Sequence, residues 1–288
     1  MTATLSFGPH ATAPGRATVT ALAIRETRRF VLNPVFLFAV AITVYAPWAG
    51  PGMVTDIDTA NPYPAIFLGG FGMMATYWLT RSMRASEPIV GVTPVTRPAR
   101  TAALCAVALV PFACGCLALL RFVQLIPVSN ALYGPFSPSA RVAVLVGQIV
   151  IPALGGPLLG VALGRWVRFP GAAFVLFLLL YGWVTLVTIL SMSHQNSAFV
   201  AVLRLFAPFA FFTYTGNGAG VTAWRGSPWF FIGWQLALCA ITVLTALLRG
   251  AEGRTRSRII RALAIAGAAA AILLALAGTG GFTHAVTA

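Results

Sequence analysis

Few residues in this chain can do chemistry, and most of those are arginines. The acids are Glu26, Asp56, Asp58, Glu87 and Glu252, the histidines are His10, His194 and His284, and all 19 basic residues are Arg. Asp56 and Asp58, with His194, could serve an enzymatic or lipid-handling site in loops outside the membrane; a solvated turn is the simpler reading of Asp56-Ile-Asp58. The cysteines, Cys105, Cys114, Cys116 and Cys239, lie inside apolar runs with no His or acid beside them, which suits small core residues better than metal ligands. The sequence has no phosphate-cradling Gly-Lys-Ser/Thr loop, no helix with paired histidines and no Gly-x-Ser-x-Gly elbow.

The elements that position these residues are apolar. Hydrophobic residues make up 59% of the chain, charged residues 8%, and the mean hydropathy is +0.88. A soluble domain carries about 25% charged residues. Crossing about 30 Å of hydrocarbon takes about 20 apolar residues. Seven segments suit that length: Phe30–Trp48, Pro64–Leu79, Thr101–Val123, Val142–Gly164, Gly171–Met192, Trp229–Leu248 and Ala262–Gly281. The fold class that follows is all-α, a polytopic membrane helix bundle. Met1–Pro14 lacks the charged start and apolar core of a signal peptide, so residues 1–17 are expected to be a flexible tail.

Arginine placement sets the expected orientation. One set of loops holds Arg16, Arg25, Arg28, Arg29, Arg81, Arg84, Arg97, Arg100, Arg165, Arg168, Arg249, Arg254, Arg256, Arg258 and Arg261. The other holds only Arg121, Arg141, Arg204 and Arg225. The rich side is expected to face the cytoplasm, with the N-terminus, in a plasma membrane. This topology accounts for the net charge of +14 without nucleic acid as a partner. Ala198–Thr213 is apolar but short, and it contains Arg204 and Pro208. If it crossed, the five arginines from Arg249 to Arg261 would move outside, at a cost of about 11 kcal/mol against a potential of about 100 mV. It is therefore read as a re-entrant or surface-lying helix on the outer side.

No acid lies within a confident span, and no histidine lies mid-span. Intramembrane ionisable groups mark proton relays, ion sites and catalytic dyads, so a proton-coupled transporter, an intramembrane protease and a metal-dependent membrane enzyme are all disfavoured. Gln148, Tyr181, Thr185 and Gln235 are the span residues most able to line a substrate path, although hydrogen bonding between helices is their simplest use. Gly69, Gly70, Gly72, Gly155, Gly156 and Gly160 allow close helix approach, and Pro152 and Pro157 can kink the fourth span.

Two basic stretches remain. In Thr18–Leu32, Arg25, Arg28 and Arg29 share a helical face and Glu26 can pair with Arg29. The stretch suits an amphipathic helix at the interface, or a span whose inner end is merely basic. Asn33-Pro34 then predicts a bend. Between the second and third spans, Arg81 to Arg100 contains Arg84, Glu87 and Thr93-Pro94-Val95-Thr96-Arg97. It reads as a short helix and turn projecting charge, or as a solvated loop.

In order and sidedness these two stretches resemble the permease subunit of an ABC-2 type ABC transporter. That family begins with a basic amphipathic helix bent into the first span, here Arg25-Glu26-Thr27-Arg28-Arg29 to Asn33-Pro34. It follows the second span with an Arg-rich, Glu-containing helix and a Thr-Pro-Val-Ser/Thr-Arg turn, here Arg81, Arg84, Glu87, Thr93, Pro94 and Arg97. It also places a re-entrant element between its fifth and sixth spans, where Ala198–Thr213 lies. Ser86-Glu87-Pro88 departs from the family's Glu-x-Gly-Thr-like run. The resemblance implies a six-span transmembrane domain over 18–250, with 251–288 adding a basic loop and a seventh span. It implies a non-catalytic subunit with no cofactor of its own, paired with a second permease and seated on a cytoplasmic ATPase that binds the ATP. The substrate would be amphipathic or lipid-like. A membrane enzyme or lipid-handling protein working through Asp56, Asp58 and His194 is the alternative.

Overall fold

The computed structural model describes residues 16–45, 64–85, 96–125, 138–193, 203, 206, 221–224, 227–279 and 282–285. Its helices are α1 (Arg16–Val31), α2 (Pro34–Tyr45), α3 (Gly72–Ala85), α4 (Arg97–Val107), α5 (Leu109–Leu125), α6 (Pro138–Leu145), α7 (Ile151–Trp166), α8 (Ala172–Ser193), α9 (Pro228–Leu248) and α10 (Gly253–Gly278). Two π-helical segments, Pro64–Phe71 and Val146–Val150, run into α3 and α7. One antiparallel pair, β1 (Val221–Trp224) with β2 (Phe282–Ala285), is the only strand pairing among the described residues.

Four helical stretches are long and apolar enough to cross a membrane: Arg97–Gln124, Val146–Trp166, Pro228–Leu248 and Gly253–Gly278. A fifth is reached if the bent pair Val19–Val31 and Pro34–Tyr45 counts as one span. Several apolar helices of this length are compatible with a multi-pass membrane protein. The expected second and fifth spans are helical, but neither is among these stretches. The helix through Pro64–Phe71 and α3 ends on Arg81 and Arg84, and in α8 the apolar helix counted is the shorter Ala172–Val187. The expected element Ala198–Thr213 lies outside the described residues except for Leu203 and Phe206.

Local chemistry sets the boundaries. The bend expected at Asn33-Pro34 is present, at 67°. Asn33 Oδ1 accepts the Val35 N–H at 2.9 Å and caps α2, with Pro34 as its first residue. The expected first span therefore divides, Phe30 belonging to α1. Phe30 and Phe36, both buried, meet across the bend with ring centroids 4.3 Å apart. The third span starts four residues before the expected Thr101, because Thr96 caps α4 by accepting the Ala99 N–H at 3.4 Å, with Pro98 in the first turn. It breaks at Ala108, where Pro111 cannot donate to the Val107 carbonyl and its ring crowds that oxygen.

The centre of the bundle is α7, 78% buried across its apolar window. It lies against Pro64–Phe71 through Gly156 and against α3 through Gly160 and Gly164, the three glycines spaced four apart on one helical face. A Cβ on Gly156 would fall 2.1 Å from Gly69 O, and one on Gly160 would fall 2.2 Å from Met73 O. Backbones so close admit no side chain between them. Thr76, fully buried, has its Oγ1 2.8 Å from Pro157 O across the interface. Replacing Thr76 with the near-isosteric valine is expected to cost about 1 kcal/mol, read as a lowered melting temperature in detergent. At the other extreme is α10, whose apolar window is only 6% buried and which packs against α9.

Candidate functional site

The functional surface expected from sequence is basic, and the fold gathers it at one end of the bundle. α3, α7 and α9 reach this end by their C-termini and α4 by its N-terminus, with α1 lying against α4. Helix C-termini present unpaired carbonyls and a partial negative charge, which draw cations. Arg84 Nη1, at the end of α3, donates to Arg165 O at 3.3 Å. Arg249 Nη1, just past α9, donates to Trp166 O at 3.3 Å. Its guanidinium also sits 5.3 Å from the centre of the Trp166 ring, whose Nε1 donates to Thr245 O at 2.9 Å. Gly250 fits tightly beside Arg97, since a Cβ there would come within 3.1 Å of Arg97 Cβ.

Of the residues expected to form this surface, Arg25, Arg28 and Arg29 are exposed on α1, as their shared face predicts. Glu26 turns inward and is 3% exposed. Arg29 Nη1 donates to Glu26 Oε2 at 3.1 Å, the ion pair expected from their spacing. Arg81 and Arg97 are exposed, Arg84 is half-buried, and Arg100 and Arg165 are buried. Glu87, Thr93 and Pro94 lie outside the described residues, as do Asp56, Asp58 and His194. Among the described residues, no three His, Cys, Asp or Glu side chains are grouped to hold a metal ion, and the four cysteines are free thiols.

The four path residues separate into two places. Gln148 and Gln235 are both fully buried, between the π-helical turn and α9. Gln235 Nε2 donates to Gly147 O at 3.3 Å, while Gln235 Oε1 and both amide atoms of Gln148 have no hydrogen-bond partner. Tyr181 and Thr185 lie instead on α8, a peripheral helix. Tyr181 is exposed and stacks on Phe177, with ring centroids 6.1 Å apart. Phe177 stacks in turn on Phe71 at 5.8 Å and presses on Gly70, where a Cβ would be 2.4 Å from its ring.

Sequence reasoning missed three features. The inward turn of Glu26 follows from its spacing of four from Phe30, which puts both on one face. Gly164 extends the Gly156 and Gly160 register by one more turn, and that signal was available in the sequence. The Trp166–Arg249 pairing joins residues 83 apart and has no local signal. Comparison with protein-family models, curated proteins and solved structures finds no match.

Proposed function

We propose that this chain is the permease subunit of an ABC-2 type exporter, with its N-terminus and basic end in the cytoplasm of a plasma-membrane system. Six core spans form the pathway and α10 is an added seventh. Two such chains pair, each seated on a separate ATP-binding subunit. The cargo is amphipathic or lipid-like. One observation carries the reading: α1 is folded back on α4, with the Glu26–Arg29 pair at one end of the bundle and Arg84, Arg97, Arg165 and Arg249 beside it. This is a surface of rigid helix ends on which a partner can push, and displacement of such ends changes the tilt of whole helices. The two acids among the described residues, Glu26 and Glu252, also lie at this end. No acid lies in the four described helices long and apolar enough to cross a membrane, which supports a driving force supplied by a partner.

The test is purification of the tagged chain from its native membrane, followed by transport and ATP hydrolysis on the same complex. A separate ATP-binding subunit is expected to co-purify. Charge reversal at Glu87 or Arg97 is expected to leave ATP hydrolysis running while transport is lost. Normal transport in those variants would refute the coupling assignment. Activity of the isolated chain without ATP would favour a membrane enzyme.

A further inference from the structure

The last helix carries a second basic surface, separate from the coupling face. Arg254, Arg256, Arg258 and Arg261 occupy the first turns of α10, and all four are exposed. Their position is electrostatically adverse. The N-terminus of a helix carries a partial positive charge, which disfavours cations there. The first turn of α10 holds no acid, and the Glu252 side chain at the N-cap makes no capping hydrogen bond. Arg254, Arg258 and Arg261, at i, i+4 and i+7, also repel one another along one stripe. A surface of this kind is suited to an external anion.

The continuation of the stripe identifies the anion. At 100° per residue, the face of Arg254, Arg258 and Arg261 runs on through Ile265, Ala268, Ile272 and Leu276. Those four are exposed, with Ile265 at 70% and Ile272 at 60%. The opposite face, through Ala270 and Ala277, is buried against α9 with Phe231 and Trp234. A single outward face thus passes from bare apolar side chains to bare arginines. From Arg261 to Gly278 the helix rises about 26 Å, close to the hydrocarbon thickness. With the apolar part in acyl chains, Arg261 lies at the hydrocarbon edge, and Arg258 and Arg254 lie among the headgroups.

We infer that the Arg254–Arg258–Arg261 stripe of α10 is a binding site for the phosphates of anionic phospholipids in the leaflet at the basic end. Arg256, about 200° from Arg254 around the helix, lies off this stripe. Guanidinium groups suit phosphate because they donate in pairs to its oxygens. The inference needs α10 to span the bilayer but does not depend on the transporter reading.

The experiment places the full chain in nanodiscs of phosphatidylcholine, with or without phosphatidylglycerol. Lipid retained on extraction is measured by native mass spectrometry, and affinity by titration with a fluorescent phosphatidylglycerol. Preferential retention of phosphatidylglycerol, weakened by salt, is expected. The triple variant R254Q/R258Q/R261Q is expected to lose about two orders of magnitude in affinity, from roughly fivefold per arginine. The triple lysine variant should keep most of the preference, and Arg256→Gln should change it less than any single substitution on the stripe. Equal retention of both lipids by the wild type would overturn the inference. So would an unchanged preference in the triple glutamine variant, or occupation of the stripe by a co-purifying protein that phosphatidylglycerol does not displace.

Discussion

Replacing Gly160 with leucine is expected to drive α3 away from α7 and leave little folded protein to purify. The Cβ alone would sit 2.2 Å from Met73 O and from Thr76 Oγ1. A Cβ on Gly156 would likewise fall 2.1 Å from Gly69 O in the same interface. Backbone on the far side cannot rotate away, so even alanine must push the helices apart. Overpacking of this kind typically costs about 1–3 kcal/mol and occasionally more. Gly160→Ala is expected at or above the top of that range, and Gly160→Leu well beyond it. Melting followed by size-exclusion chromatography of the detergent-solubilised protein gives the readout. Gly182→Ala and Gly267→Ala serve as controls, since an added Cβ at either meets nothing within 4 Å and alanine suits a helix better. A Gly160→Leu protein that melted like the wild type would mean that α3 and α7 are not in contact.

The second large effect is asymmetric. Arg29→Ala should cost far more stability than Glu26→Gln, although both break the same ion pair. Removing Arg29 strands the Glu26 carboxylate, whose side chain is only 4% exposed, and a buried charge without its partner costs about 3–5 kcal/mol. Removing the Glu26 charge leaves the Arg29 guanidinium, 48% exposed, which water can serve, so that loss is about 1 kcal/mol or less. Chemical denaturation of both single variants and the double variant would measure the difference. Limited proteolysis near Asn33 would show α1 loosening from α4 in Arg29→Ala and staying docked in Glu26→Gln. Equal costs would contradict the inward placement of Glu26.

Local signals account for what the sequence made readable. Asn33-Pro34 names both a cap and a first residue that cannot continue the previous helix, so the bend was legible. The shared face of Arg25, Arg28 and Arg29 needed only helical periodicity. The boundaries that moved did so for reasons equally local but easily overlooked. Thr96-Arg97-Pro98 is a helix start, yet Arg97 and Arg100 look like loop residues to a hydropathy scan. Pro111 breaks the third span inside an apolar run. The pairing of Trp166 with Arg249 and the wide separation of Gln148 from Tyr181 depend on which helices become neighbours. Apolar helices of similar composition carry little code for that choice. Only the glycine spacing of α7 signals a partner, because it marks where another backbone can fit.

The pairing of Val221–Trp224 with Phe282–Ala285 has a practical consequence. It fastens the far end of α10 beside the start of α9, so the last hairpin is closed at both ends. The exposed arginines of α10 lie at the opposite end of that hairpin from the strand pair. In the proposed orientation, with the basic end in the cytoplasm and α10 spanning, a fluorescent protein that matures only in the cytosol is expected to stay dark when fused after the final strand and to glow when placed ahead of Arg16.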